Sequence, residues 1–373
     1  MSPRTSPPFR ADHVGSLLRP PELRRAREDF TAGKITAAEL RAVEDEAIRD
    51  AVALQREAGL KSATDGEFRR GSWHMDFIYQ IGGIVQAPGH LVSQFRNATG
   101  TIEFTPPAIR VSRRITMDKT IFGEDFAFLQ QVAGDLVPKL TIPAPSMVHY
   151  RSGIRAVADE SVYPDPEEFW SDLSAAYAEE VRRLAGQGCR YLQVDDISLA
   201  YLNDPAQRAY ISERGEDAEH MHLRYISLIN GAVRNRPAGM TVATHLCRGN
   251  YRSSWVASGS YDFVAEALFS ELDVDGFFLE YDDERSGGFE PLRFVPPGKQ
   301  VVLGLVSTKR PELESRDELK RRIDEAARYV PLDQLCLSGQ CGFSSTVEGN
   351  ALTLDDQKAK LALIAEVAQD VWG

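Results

Sequence analysis

Eight short apolar runs, each followed after a polar loop by a helix-like stretch, constrain this chain more than any other feature. They cover residues 9–14, 60–64, 139–144, 190–194, 240–244, 276–279, 300–306 and 334–337. Their near-continuous apolar character is that of strands buried on both faces, and strands alternating with helices build a parallel sheet. The pattern predicts an α/β fold, a (β/α)8 TIM barrel. An open, doubly wound sheet would carry a glycine-rich phosphate-binding turn after an early strand. Gly82-Gly83 has neither the GxGxxG spacing nor the preceding strand.

The intervening segments carry helix signals. Thr36-Ala37-Ala38-Glu39 reads as a capping box, Leu40, Val43, Ala47, Ala51 and Leu54 follow at helical spacing, and Gly59 suits the C-terminal end. Further stripes run through Phe169, Leu173, Ala176, Tyr177, Val181 and Leu184, through Leu319, Ile323, Ala326 and Ala327, and through Leu361, Ile364, Val367 and Val371. These are core faces rather than functional surfaces. With no linker or repeat, residues 1–373 are expected to form a single barrel domain. Residues 66–138 are too long for a simple connection and read as an insertion after the second strand, a hairpin plus helix, with strand-like runs at 101–104 and 109–116. In a barrel this insertion sits at the catalytic face.

Charge and apolar patterning exclude several function classes. With 43 basic and 55 acidic side chains in 373 residues, the net charge of −12 is unsuited to nucleic acid or an anionic membrane surface. No apolar run is long enough to span a bilayer, and the start, Met-Ser-Pro-Arg-Thr-Ser-Pro-Pro, has no apolar core of the signal-peptide kind. Four cysteines make no disulfide scaffold, so a cytoplasmic location is expected.

Barrel enzymes place their chemistry at strand C-termini, and reactive residue types gather there. Gly15-Ser16 follows the first run, Asp65-Gly66-Glu67 the second, and Asp195-Asp196 the fourth. His245-Leu246-Cys247 follows the fifth, Glu280 the sixth, Ser307-Thr308-Lys309 the seventh and Gly339-Gln340-Cys341-Gly342 the eighth. His245 and Cys247 project to the same side. With Glu280 and Cys341 they form a donor set suited to tetrahedral Zn²⁺. Cys189 and Cys336 read as ordinary buried cysteines. Structural zinc sites use close-spaced ligand pairs, whereas these four residues stand on separate strand ends, as catalytic ligands do. Two thiolates and a carboxylate neutralise the ion, which favours holding a substrate thiol as thiolate over activating water. The inferred chemistry is alkyl transfer to sulfur.

Taken together, Asp12-His13-Val14-Gly15-Ser16-Leu17-Leu18-Arg19-Pro20, Thr64-Asp65-Gly66-Glu67, Gln193-Val194-Asp195, Thr244-His245-Leu246-Cys247, Glu280 and Gln340-Cys341-Gly342 resemble the catalytic half of cobalamin-independent methionine synthases, in a short single-barrel form. The resemblance implies zinc held by His245, Cys247, Glu280 and Cys341. It implies homocysteine bound through Ser16, Glu67 and Asp195, with Glu67 and Asp195 catalytic, and a methyl group taken from 5-methyltetrahydrofolate or another donor. The implied partners are these small molecules, and a second copy of the chain or a methyl-donor protein is left open.

Full-length relatives carry an acid histidine after the seventh strand, where this chain reads Gly304-Leu305-Val306-Ser307-Thr308-Lys309. Either Asp196, Lys309 or a residue of the insertion substitutes, or the methyl comes from something other than a folylpolyglutamate. For donor contacts the stretch Glu67-Phe68-Arg69-Arg70-Gly71-Ser72-Trp73-His74 stands out, its arginines offering charge to carboxylates and Trp73 a stacking face. The competing enzyme reading is a zinc thiol alkyltransferase resembling epoxyalkane:coenzyme M transferase. The non-enzyme reading is a zinc-binding protein without turnover.

Overall fold

In the computed structural model, which describes residues 4–89, 92–97, 100–105 and 108–373, seven of the eight apolar runs pair into one parallel sheet. Its strands lie side by side in chain order: Ser62–Ala63, Val137–Pro143, Tyr191–Asp196, Thr241–Leu246, Gly276–Glu280, Gln300–Val306 and Leu335–Gly339. Apart from Thr241, every residue of the last five strands is buried, as a parallel sheet covered on both faces requires. The sheet curls, because Val14, Tyr191, Ala243, Phe278, Val302 and Cys336 meet in a small cluster apart from the main core. That core lies between the sheet and the helices outside it.

The first run departs from expectation. Residues 9–14 make one parallel bridge, Ala11 to Leu337, rather than a ladder. The cause is Asp12. Its carboxylate accepts the backbone amides of Phe9 at 3.1 Å and His13 at 2.8 Å, which bends the run out of extended pairing. The same carboxylate receives Lys139 Nζ at 3.2 Å and Tyr191 Oη at 2.8 Å, so the bend is tied to two neighbouring strands. At its end, Thr64 Oγ1 donates to the Gly15 carbonyl at 2.6 Å and the Leu17 amide to Gly66 at 3.1 Å.

The expected helices are present. Ala37–Glu57 starts at the Thr36/Glu39 capping box, and Leu354–Trp372 at a second one, Thr353 with Asp356. Each box satisfies amides that a helix start leaves orphaned and contributes about 1 kcal/mol. Pro166–Gly186 and Arg316–Ala326 bury the predicted stripes. Among the described residues no helix is long and apolar enough to cross a membrane.

The stretch 66–138 holds more than the expected hairpin and helix. Gly82–Ala87 pairs with Ala108–Thr116, and between them Ser93–Asn97 pairs with Gly100–Phe104. Helices Met75–Ile78 and Gly123–Val132 flank these hairpins. Gly83 sits at a register shift with φ of 92°, where a Cβ would strike the Arg113 carbonyl. The inner hairpin reaches across to the loop after Thr241–Leu246, with Arg96 and Trp255 exchanging backbone hydrogen bonds at 2.7 and 2.8 Å. Residues 90, 91, 98, 99, 106 and 107 of this stretch, and residues 1–3 of the N-terminal start, lie outside the described residues.

Candidate active site and metal centre

Parallel register sets the floor of the site. Asp195 and His245 are partners across adjacent strands and point to the same face, so Asp195 Oδ1 lies 3.3 Å from His245 Nδ1. Gln193 Nε2 donates to the same oxygen at 2.7 Å, which fixes the carboxylate. A carboxylate on one imidazole nitrogen orients the other toward a ligand or metal. Cys247 follows on the loop beyond the strand, and the Gly249 amide donates to its sulfur at 3.3 Å. Cys341 arrives from the loop after Leu335–Gly339, 3.4 Å from Cys247 sulfur to sulfur. That loop lies directly on the first run, since a Cβ at Gly342 would collide with Ser16 Oγ.

His245, Cys247 and Cys341 are all buried, with ligand atoms within 4.8 Å of one another. The electrostatics prepare this group for a cation. Burial works to depress the His245 pKa, but Asp195 and Cys341 outweigh it and raise it to about 10. A hydrogen bond from Cys247 holds Cys341 as thiolate against burial, with His245 reinforcing, and Cys247 is pushed up in return. Two soft sulfurs and one imidazole in a dry setting match the donor preference of Zn²⁺.

Glu280 is placed beside this group but does not join it. Its Oε2 accepts the Arg248 amide at 2.8 Å, while Oε1 pairs with Arg285 at 2.6 Å and Lys309 Nζ at 3.1 Å. Burial opposes its charge, but Lys309, Arg285 and Arg248 lower its pKa to about 2. Arg248 braces the whole loop, donating to the carbonyls of Gly259 and Glu280.

Glu67 stands across the floor from His245, in a backbone conformation with φ of 60° that costs strain for a side chain with a Cβ. Such strain marks residues held for a purpose. Oε1 accepts from Thr141 Oγ1 at 2.7 Å with Arg70 3.5 Å away, and Oε2 is buried without a partner. Burial raises the Glu67 pKa to about 7, with Arg70 opposing and Asp195 adding. Ser16 lies beside Gly342 and accepts the Ser344 amide at 3.3 Å. Ser16, Glu67, Asp195, His245, Cys247 and Cys341 all line one cavity of about 380 Å³, a volume that suits small-molecule sites. Glu280 does not line it.

The upper wall comes from the predicted insertion and the facing loops. Trp73, Tyr79, Phe95, Phe104 and Tyr251 make it aromatic. Trp73 is thus where a stacking role needs it, but the arginines beside it are not. Arg69 is buried away from the cavity against Asp45, Glu44 and Asp125, and Arg70 donates to Thr141 Oγ1 and its carbonyl at 3.0 and 2.9 Å. Neither lines the cavity, so the expectation that they meet donor carboxylates is corrected: buried acceptors beside the floor have taken them. Asp196 does line the cavity, but both its oxygens are occupied, accepting from Ser146 Oγ, Ser198 Oγ and the Leu199 amide. Lys309 is turned to Glu280 and does not line the cavity.

A family description covers nearly all of these elements: the catalytic domain of cobalamin-independent synthases matches residues 9–369. The chain belongs to the cobalamin-independent methionine synthase family. A Bacillus subtilis protein of unassigned role, YxjH, is 45% identical over 98% of this chain and 95% of its own length. A Pyrococcus abyssi methionine synthase is 25% identical over 88% of this chain and 84% of its own. A crystal structure from Listeria monocytogenes, assigned provisionally as a vitamin-B12-independent methionine synthase, superposes with a TM-score of 0.78 at 37% identity, covering 99% of this chain and all of that one.

Within this family frame, the residues that sequence reasoning passed over are Arg151, Tyr251, Phe95 and Phe104 on the wall, and Arg248 and Arg285 behind the floor. Alternation of Phe95 and Phe104 in two short strands was the one available signal for the hairpin aromatics. Arg151, in an irregular stretch, offered none.

Proposed function

We propose that the chain is a zinc-dependent methyltransferase that moves a methyl group from 5-methyltetrahydrofolate, or another methyl donor, to the thiol of homocysteine, forming methionine. One observation carries this reading: two sulfurs and an imidazole converge at the floor of a cavity that two carboxylates, Asp195 beside the imidazole and Glu67 with its unpartnered Oε2, also line. His245, Cys247 and Cys341 would hold Zn²⁺, with Glu280 alongside as the fourth residue once released from Lys309 and Arg285. Zn²⁺ held by these residues would lower the pKa of a substrate thiol and favour its thiolate form.

The chain's own groups supply the rest. Glu67 Oε2 and the face of Asp195 not used by His245 are apt for an α-ammonium, which would bring Glu67 to its charged form. Ser16 and its neighbouring amides suit the α-carboxylate. This places the thiol over the two cysteines and leaves the aromatic upper cavity for the donor. In the transfer, the sulfur lone pair forms the new S–CH3 bond while the donor's bond to its methyl breaks and its electrons remain on the leaving atom, which takes a proton. We read residues 9–14 as completing an eight-strand barrel and 66–138 as the insertion that covers its mouth. Four free, buried cysteines favour a cytoplasmic setting.

The test is zinc stoichiometry on purified protein followed by methionine formation from homocysteine and 5-methyltetrahydrofolate. About one zinc per chain with turnover is the expected result. Zinc and homocysteine binding without turnover would keep the thiol chemistry and transfer the donor role to another compound. A chain without zinc under conditions that preserve it would overturn the reading.

A further inference from the structure

The upper cavity carries two nitrogen-bearing side chains that the protein leaves unsatisfied. His74 is 5% exposed, and its Nδ1 lies 3.1 Å from Ser72 Oγ. Ser72 Oγ also receives the Met75 amide, and in the tautomer where its own hydrogen points to Nδ1 the ring proton sits on Nε2. That Nε2 is buried, lines the cavity wall and has no partner among the described residues. Burial, and then the charge of Arg151, hold the ring neutral, and in that tautomer its Nε2–H is a hydrogen-bond donor. Arg151 donates to Ser93 Oγ at 3.3 Å, but its Nε is buried and unpartnered, and it makes no ion pair among the described residues.

In a chain with 55 acidic and 43 basic side chains, a cation facing a cavity is not unpaired for want of carboxylates. The acidic groups on the same wall are turned elsewhere: Asp76 accepts the Ser72 amide at 2.6 Å, and Glu348 lies by the Tyr251 hydroxyl. The cavity these side chains line is aromatic, with Trp73 tilted against His74 at 4.4 Å between ring centres and Phe95 and Phe104 meeting edge to face. Buried donors without partners are costly unless a ligand satisfies them.

We propose that His74 and Arg151 recognise the methyl donor as an aromatic carboxylate: a planar ring held against Trp73, Phe95 and Phe104, whose anionic group is received by the Arg151 guanidinium and the His74 Nε2–H. This rests on the methyl-transfer reading of the site and adds the chemical class of the donor. The carboxylate belongs either to the glutamyl tail of a folate or to a smaller aromatic acid.

Calorimetry on the zinc-loaded full chain separates these cases, using 3-methoxybenzoate, the uncharged 3-methoxybenzamide, and 5-methyltetrahydrofolate, with homocysteine titrated in parallel. The acid should bind about tenfold more tightly than the amide, the ratio expected for one charge-assisted hydrogen bond. Arg151→Gln should remove that preference, Arg151→Lys should restore part of it, and His74→Phe should weaken the acid several-fold. Homocysteine affinity should stay at the wild-type value in all three variants. Loss of folate binding in Arg151→Gln assigns the carboxylate to the folate tail; acid binding without folate binding assigns it to a smaller compound. Equal affinity for acid and amide, an unchanged acid in Arg151→Gln, or no binding of either acid overturns the proposal. Failure of homocysteine to bind the wild type, with the acid preference intact, would instead remove the methyl-transfer reading and the donor role with it.

Discussion

Replacing Glu67 by glutamine isolates the cost of placing a carboxyl group in the floor of this site. In the folded chain burial raises its pKa to about 7, against an ordinary glutamate value of 4.5. Stability that depends on a raised carboxyl pKa is whole below the unfolded value, falls as pH rises from about 4.5 toward 7, and is gone above the folded value. The gap corresponds to about 3 kcal/mol, an upper figure because the group relaxes on ionising. Glutamine keeps the hydrogen bond from Thr141 Oγ1 and carries no charge at any pH. Glu67→Gln should therefore match the wild type near pH 4 in urea unfolding and exceed it by about 2–3 kcal/mol at pH 8. The same variant should lose most of its homocysteine affinity, because the ammonium needs the ionised form. A stability difference that stays flat between pH 4 and 8 would refute the account of Glu67 as a carboxyl group whose ionisation burial delays to near neutral pH.

Three further substitutions probe the rest of the floor. Cys341→Ser should cut zinc content to a small fraction of one per chain while the far-ultraviolet dichroism is unchanged; full occupancy by atomic absorption would remove Cys341 from the metal group. Asp195→Asn should weaken homocysteine about tenfold by calorimetry with zinc retained, and an unchanged affinity would remove its ammonium role. Lys309→Met leaves Glu280 with one fewer counter-ion in a buried setting and should cost about 3 kcal/mol in urea unfolding of the metal-free chain. No loss there would mean that Arg285 and Arg248 alone satisfy the carboxylate.

What the sequence shows of this molecule, and what it hides, follows from how far each feature depends on local chemistry. Helix starts such as Thr36 with Glu39 satisfy themselves within four residues, and strands buried on both faces announce themselves by continuous apolar runs. Both are readable in one dimension. Residues 9–14 show the limit: the run is apolar enough for a strand, but Asp12 captures two nearby amides and binds Lys139 and Tyr191 from distant strands, and that competition is decided only in three dimensions.

Charge at the site follows the same division. His245 and Cys247 are two residues apart on one strand end, so their convergence could be read directly, and Cys341 followed from its place after the last strand. The fate of an arginine could not be read that way. Arg69, Arg70 and Arg151 are equally plausible donors to a ligand on paper, yet two find carboxylates or carbonyls within the protein and one does not. A long cationic side chain reaches several neighbours, and which of them is an acid depends on the packing of segments far apart in sequence. Unsatisfied groups are thus where sequence is least informative and structure most so. Among the described residues that line the cavity they are Glu67 Oε2 at the floor and His74 Nε2 with Arg151 Nε above it, one acceptor for a cation and two nitrogens for an anion, on opposite levels of one cavity.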